Sequence, residues 1–240
     1  MSTVIKSILS ASLFLIGNQV YSLHLPQGHF LLEGGAFKAT QGETQKINIE
    51  GLVGDLFNVT TRHDSNYLLG LGYLINGYEN DRFGIDYGIN AFYLAKTQVF
   101  GTIDQELLFT NLGYSYSVHH VPVYATAKAH IQTSAEQFAL TLDAGVGPNF
   151  QRTSNYHDWS IDNGMTLPDH AFSGRSDTTF TATAGVGIKF TPGKNHVPLE
   201  CGYRFFYLGE GNFNARTAII LNTLKTGNSY AQALVCTVAV

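Results

Sequence analysis

Charge is what this sequence has least of. Asp, Glu, Lys and Arg supply 13% of its 240 residues, about half the share usual in a soluble globular protein. Disorder needs high charge and few aromatics, and aromatics here reach 12%, so a disordered chain is excluded. A coiled coil or long charged helix, rich in Glu, Lys and Leu, is excluded on the same ground. A net charge of −4 argues against a nucleic-acid partner, whose surface would demand basic clusters. Long apolar runs are missing too. Beyond residue 22 none reaches the roughly 18 residues a spanning helix needs. Cysteine is limited to Cys201 and Cys236.

The first 22 residues stand apart. Lys6 supplies a positive start, Ile8 to Gly17 an apolar stretch too short to span, and Val20-Tyr21-Ser22 a small-x-small cleavage site. The pattern is that of an export signal at 1–22, removed after Ser22. No Cys sits at that point, which argues against a lipoprotein. The mature chain, 23–240, starts at Leu23. Export leaves it secreted, periplasmic or built into a membrane by strands.

What is present is alternation. Phe30, Leu32, Gly34 and Ala36 oppose Glu33; Leu69, Leu71, Tyr73 and Ile75 oppose Gly70 and Gly72. Phe83, Ile85, Tyr87, Ile89, Ala91 and Tyr93 oppose Gly84, Asp86, Gly88 and Asn90. The same two-residue period returns over Val123–Ile131, Leu140–Gly147, Phe180–Phe190, Leu199–Tyr207 and Tyr230–Val240. Such a period over so many residues signals strands. A soluble sandwich would alternate as well, so the connections decide. Short links at Tyr78–Asp81, Thr133–Glu136 and Thr191–His196 alternate with long ones at Thr40–Ser65, Gln151–Ser176 and Gly209–Asn228, and a shorter one at Phe100–Asp104. That is the rhythm of outer-membrane barrels, with tight periplasmic turns and long outer loops.

The fold class expected is therefore all-β, an eight-stranded antiparallel transmembrane β-barrel, with ten strands as the alternative. The ambiguity sits in two places. Gln105–Ile131 reads as one long strand broken by a bulge at His119–Pro122, where the apolar phase shifts and Pro122 cannot donate. A turn there would add a strand. Ile47–Val59 reads as an extension of the first strand, or else as an extra hairpin.

Gly28-His29-Phe30-Leu31-Leu32-Glu33-Gly34-Gly35, Leu69-Gly70-Leu71-Gly72-Tyr73, Asp143-Ala144-Gly145-Val146-Gly147, Ala184-Gly185-Val186-Gly187 and Gly202-Tyr203-Arg204-Phe205 recur in order along nearly the whole mature chain. The set resembles the small outer-membrane barrels of Gram-negative bacteria, of the OmpA-transmembrane-domain or opacity-porin type. The resemblance implies an outer-membrane, cell-surface location and an eight-stranded barrel. It supplies no catalytic residues. It implies outer-membrane lipid as surroundings and the barrel assembly machinery as partner during biogenesis. One departure is the end, Thr237-Val238-Ala239-Val240, where such barrels carry an aromatic residue.

The polar parity collects a charge network: Glu33, Asp86, Lys128, Asp143, Lys189, Glu200 and Arg204, with His130 beside it. The interior of an eight-stranded barrel is just wide enough for side chains to fill, and charges there must pair. A plug is expected, with Lys128 and Arg204 facing Asp86, Asp143 and Glu200; a charged pore is the alternative. Cys201 and Cys236 fall at similar depth on neighbouring strands with the same parity, a possible disulfide in an oxidising compartment.

Other constellations are faint. His119-His120 with His130, and His157-Asp158 with Asp169-His170, hold ligand types without a recognised spacing, so no metal and no cofactor are expected. There is no GxSxG, and Ser115 and Ser117 alternate with tyrosines near His119 as an ordinary strand would. Tyr67, Tyr73, Tyr78, Tyr87, Tyr93, Tyr203, Tyr207 and Tyr230 lie toward strand ends, as girdles at both interfaces would. The reading is a non-enzymatic barrel with a structural role or a host or surface ligand reached through its loops. The alternatives are a narrow pore or small-solute transporter, a lipid-modifying enzyme, and a soluble lipocalin-like binder.

Overall fold

The computed structural model describes residues 27–135, 137–193 and 197–240; the expected export signal lies outside them. Its strands are β1 (Gly28–Thr40), β2 (Gln45–Ile47), β3 (Asp55–Thr61), β4 (His63–Glu79), β5 (Phe83–Gln105), β6 (Phe109–Gln132), β7 (Phe138–Ser160), β8 (Phe172–Ser173), β9 (Ser176–Phe190), β10 (Leu199–Asn212), β11 (Asn214–Ala215) and β12 (Lys225–Ala239). Eight of them close a ring in the order β1, β4, β5, β6, β7, β9, β10, β12, and β12 returns to β1, every pair antiparallel. The pull toward ten comes from β2 and β3. The segment Ile47–Val59 does not extend the first strand. It enters a hairpin whose β3 pairs with the top of β5, from Leu56↔Asp104 to Thr61↔Phe100, above the end of β4.

Closure follows from where the apolar side chains point. In the lower part of the wall they point out: Leu71, Ile89 and Leu234 are 65%, 63% and 70% exposed. Such a belt is stable only against lipid, and in lipid every backbone group must pair within the sheet. Phe30 lies on Tyr73 (ring centroids 4.8 Å apart) and Phe138 on Phe190 (5.1 Å) near the short turns, while Tyr207 meets Tyr230 (5.6 Å) at the other rim. The chain is thus a transmembrane barrel of the outer-membrane type.

Strand runs into three of the expected links. β5 runs on through Phe100–Asp104, and the chain turns into β6 only at Glu106–Leu108, where Glu106 and Leu107 take left-handed φ of 55° and 61°. β7 continues through Gln151 to Ser160, which places Arg152 on a strand and not in a loop, and Gly209–Asn228 holds the end of β10, β11 and the start of β12. The irregularity near Pro122 also needs correcting. β6 keeps one parity from Leu112 to His130 facing the interior, and Pro122 simply opposes Asn149. The extra residue is on β5: Leu94 pairs with His120 but Thr97 with Val118, so one residue of Ala95-Lys96 is unmatched. A second bulge lies on β7, at Asn155 with φ 53°.

Candidate functional site

The interior changes character with height. β6 shows the sequence of layers, rising from His130 and Lys128 through Tyr124 and His120 to Tyr116 and Tyr114.

The lowest layer holds the predicted charges. Lys128 Nζ lies 2.6 Å from Glu200 Oε2, and Thr141 donates to the other Glu200 oxygen at 2.9 Å. Arg204 pairs with Asp143 at 2.9 Å, reaches Glu33 at 3.9 Å, and stands 5.0 Å over the Phe92 ring. Glu33 also accepts from Asn90 (2.9 Å) and Thr237 (3.0 Å). By distance Lys128 pairs with Glu200 and Arg204 with Asp143, while Asp143 is also the register partner of Lys128. Asp86 is not a partner of Arg204; it lies 3.8 Å from His130, nearer the short-turn mouth. Lys189 lines that same mouth. Small residues make room: a Cβ on Gly185 would stand 2.6 Å from Asp143 Oδ2, and one on Gly70 2.8 Å from Glu33 Oε2.

Above the charges, Phe37, Leu68, Phe92, Leu94, Tyr124 and Phe206 fill the lumen side to side. Tyr124 shares a hydrogen bond with Thr181 at 2.9 Å. Next come polar groups. His120 is buried against Asn149, whose amide donates to its Nδ1 at 2.9 Å, and Gln41 donates to Thr97 at 2.9 Å.

Higher still the wall turns inside out. Val99, Ile103, Leu112, Tyr114, Tyr116, Phe172, Phe213 and Leu224 form a second apolar core. Burial pushes the Tyr114, Tyr116 and Tyr156 phenols well up, so all are neutral. The three long connections are stitched over this core as a crown. Ile49 bridges Ile220, Glu50 N–H donates to Ile219 O at 2.8 Å, Leu221 N–H to Asn48 O at 2.8 Å, and Ala215 pairs with Phe172. Asp158, buried in the wall, accepts from the Asp169 and His170 amides (3.1 and 3.0 Å) and holds His170 Nδ1 at 2.6 Å, anchoring the β7–β8 loop.

Between the β2–β3 hairpin, the residues around β8 and the segment before β12 lies a cleft of about 310 Å³. Leu52, Ile49, Phe172 and Ile220 line it, with Asp55 and Asp169 at its edge. Burial raises both acids above their ordinary value; the charges of Glu106 and Asp169 add to this at Asp55 against the Glu106 amide, and that of Asp158 at Asp169 against the charge of His170. The sequence reading found Asp158, Asp169 and His170 only as metal candidates and missed the cleft. What the sequence did carry was the second apolar core beneath it, in the run Leu112, Tyr114, Tyr116 and Val118, which shares the parity of Lys128.

The remaining candidates do not converge. Among the described residues no three His, Cys, Asp or Glu are placed to hold a metal ion. His120 is buried in the lumen, His119 lies beside Tyr93, and His130 faces Asp86. Cys201 and Cys236 are register partners on the outward face, with Cα atoms 4.1 Å apart, and are joined by a disulfide.

No family model and no curated protein matches the chain. Among solved structures it is similar to the outer membrane protein OprG of Pseudomonas aeruginosa, at 13% identity and a TM-score of 0.50, covering 90% of this chain and 97% of that one. It also matches the outer membrane protein AlkL, at 11% identity and a TM-score of 0.43, covering 93% and 95% of the two chains. Neisserial surface protein A follows at 10% identity and a TM-score of 0.40, covering 87% and 96%. The first likeness shows the fold, an outer-membrane barrel.

Proposed function

We propose that the protein is a non-enzymatic, closed outer-membrane barrel that presents its crown to the cell exterior as an interaction surface. The observation that carries this reading is the filled lumen: paired charges, an aromatic and aliphatic layer and a second apolar core succeed one another along the axis. A conducting pore needs a continuous wet path, and each layer interrupts it. The export signal, the disulfide between Cys201 and Cys236, the lumen network as a structural plug and assembly by the barrel machinery belong to the same reading. The catalytic alternative lacks support. Ser115 and Ser117 donate to no histidine among the described residues, and His170 is bound to Asp158.

The test is conductance of the full chain reconstituted in planar bilayers, paired with surface protease digestion of intact cells. No steady current and cleavage within the crown are expected. Sustained unit currents from wild-type protein would replace this reading with that of a narrow pore.

A further inference from the structure

We infer that the crown cleft is a binding site for a small amphiphile that carries an aliphatic body and a cationic nitrogen. The inference rests on the crown being the working surface, and it names the ligand class. Three observations converge on it. The cleft has the size of a small-molecule site, about 310 Å³, near the lower end of the range such sites occupy. Its walls are aliphatic and aromatic: Ile49, Leu52, Phe172 and Ile220. They come from three separate connections whose backbones are hydrogen-bonded together, so the cleft is preformed.

The third observation is charge. Asp55 and Asp169 share the cleft, and no Lys, Arg or His lines it. Asp55 is only 8% exposed. Its Oδ1 accepts the Glu106 amide at 3.0 Å, while Oδ2 takes no hydrogen bond among the described residues. His170, next to Asp169, is turned to Asp158, so two carboxylates that share a partly dry site with no cation in its lining favour any ligand that brings one. An ammonium group offers up to three donors to oxygens left without them, while its chain covers the aliphatic wall. A simple anion would meet repulsion, and a purely apolar ligand would leave the carboxylates desolvated and unpaired.

The test uses the full barrel in zwitterionic lipid nanodiscs and three probes: octylammonium, octanol and tetramethylammonium. Binding is read by titration calorimetry, with empty nanodiscs subtracted. Octylammonium should bind saturably, and about tenfold more tightly than either other probe, the gain expected of one charge-assisted contact. Asp55→Asn with Asp169→Asn should bring octylammonium down to the level of octanol. Heat-modified gel mobility and circular dichroism verify that the double variant folds. If it does not fold, the wild-type probe series decides alone. Equal binding of octanol and octylammonium, saturable binding of tetramethylammonium alone, or no saturable binding at all would each overturn the inference. None of these outcomes touches the conductance result, so a failed ligand and a failed closed-barrel reading remain distinguishable.

Discussion

The lower and upper halves of this barrel solve opposite solvation problems with one continuous sheet. In the lower half lipid takes the outer face, so Leu71, Ile89 and Leu234 point out while Glu33, Lys128, Asp143 and Arg204 are folded in. In the upper half Lys96, Gln98 and Arg152 point out, and Tyr114, Tyr116 and Phe213 are folded in. The first is held by charge pairing inside a closed ring, the second by ordinary apolar burial. The exchange falls near the β5 bulge at Ala95-Lys96. The lesson is that strand parity alone does not tell lipid from core; the chemistry of each parity has to be followed along the strand.

The largest effect should come from breaking the lower half at its hub. Arg204→Ala strands Asp143 and Glu33 in a lumen where both are nearly inaccessible. About 3–5 kcal/mol is expected from such an orphaned charge, less where water enters. Urea unfolding in micelles should show the midpoint fall. Arg152→Ala, on the exposed outer face of β7, should leave it unchanged. Equal effects at the two sites would mean that the lower half is not held by its charges.

The second break is in the upper half. Phe213 is fully buried, with its ring 5.0 Å from that of Tyr116. Phe213→Ala should cost about 3 kcal/mol, and the cost should be local. The crown should lose hydrogen-exchange protection and become protease-sensitive, while the lower barrel keeps its heat-modifiable gel shift. Simultaneous loss of both would show one cooperative unit and erase the distinction between the halves.

These two contrasts also show what the sequence made legible. Lower strands announced themselves, because Leu69, Leu71, Tyr73 and Ile75 against Gly70 and Gly72 state the lipid face outright. The charged residues share one parity, and Arg204 meets Asp143 along one register row, both opposite Gly185, whereas its approach to Glu33 and the place of Asp86 beside His130 were not legible. The upper wall was misread for a physical reason. There the outward face is wet, so Gln98, Thr102 and Asp104 look like loop, and the inserted residue at Ala95-Lys96 reverses parity on β5. On β6 no residue is inserted between Leu112 and His130, and the apolar run changes face because the surroundings do. The cleft lay beyond reach: Asp55, Asp169 and Ile220 are far apart in sequence and meet only when the connections are stitched together.

A smaller effect sharpens the contrast. The hydroxyls of Tyr116 and Tyr156 are buried and take no hydrogen bond among the described residues. Tyr156→Phe should therefore change stability by no more than about 1 kcal/mol, with stabilisation the expected sign, because an unsatisfied group is removed while the ring stays. A large loss on calorimetric unfolding would mean that the upper core depends on polar order as the lower half does.

The smallest effect is in pH, and it divides the crown itself. Burial, reinforced by neighbouring acids, raises Asp55 and Asp169 above the ordinary aspartate value of 3.8. Folded crown then holds protons that the unfolded chain has released, so these two residues penalise the crown at neutral pH. The penalty is lifted as pH falls through their raised values and is gone below 3.8. Asp162 behaves oppositely. Hydrogen bonds from Ser160 and Thr166 hold this exposed carboxyl down to about 2, so its contribution is full above the unfolded value and lost only toward pH 2. Between pH 7 and the ordinary carboxylate range only the first of these two effects operates. Amides of the β2–β3 hairpin, corrected for intrinsic exchange, should become more protected as the solution is made mildly acidic. Asp55→Asn with Asp169→Asn should flatten that response and leave the lower strands unaffected. Protection that falls over the same interval would reverse the assigned sign and separate the two acids from the stability of the crown.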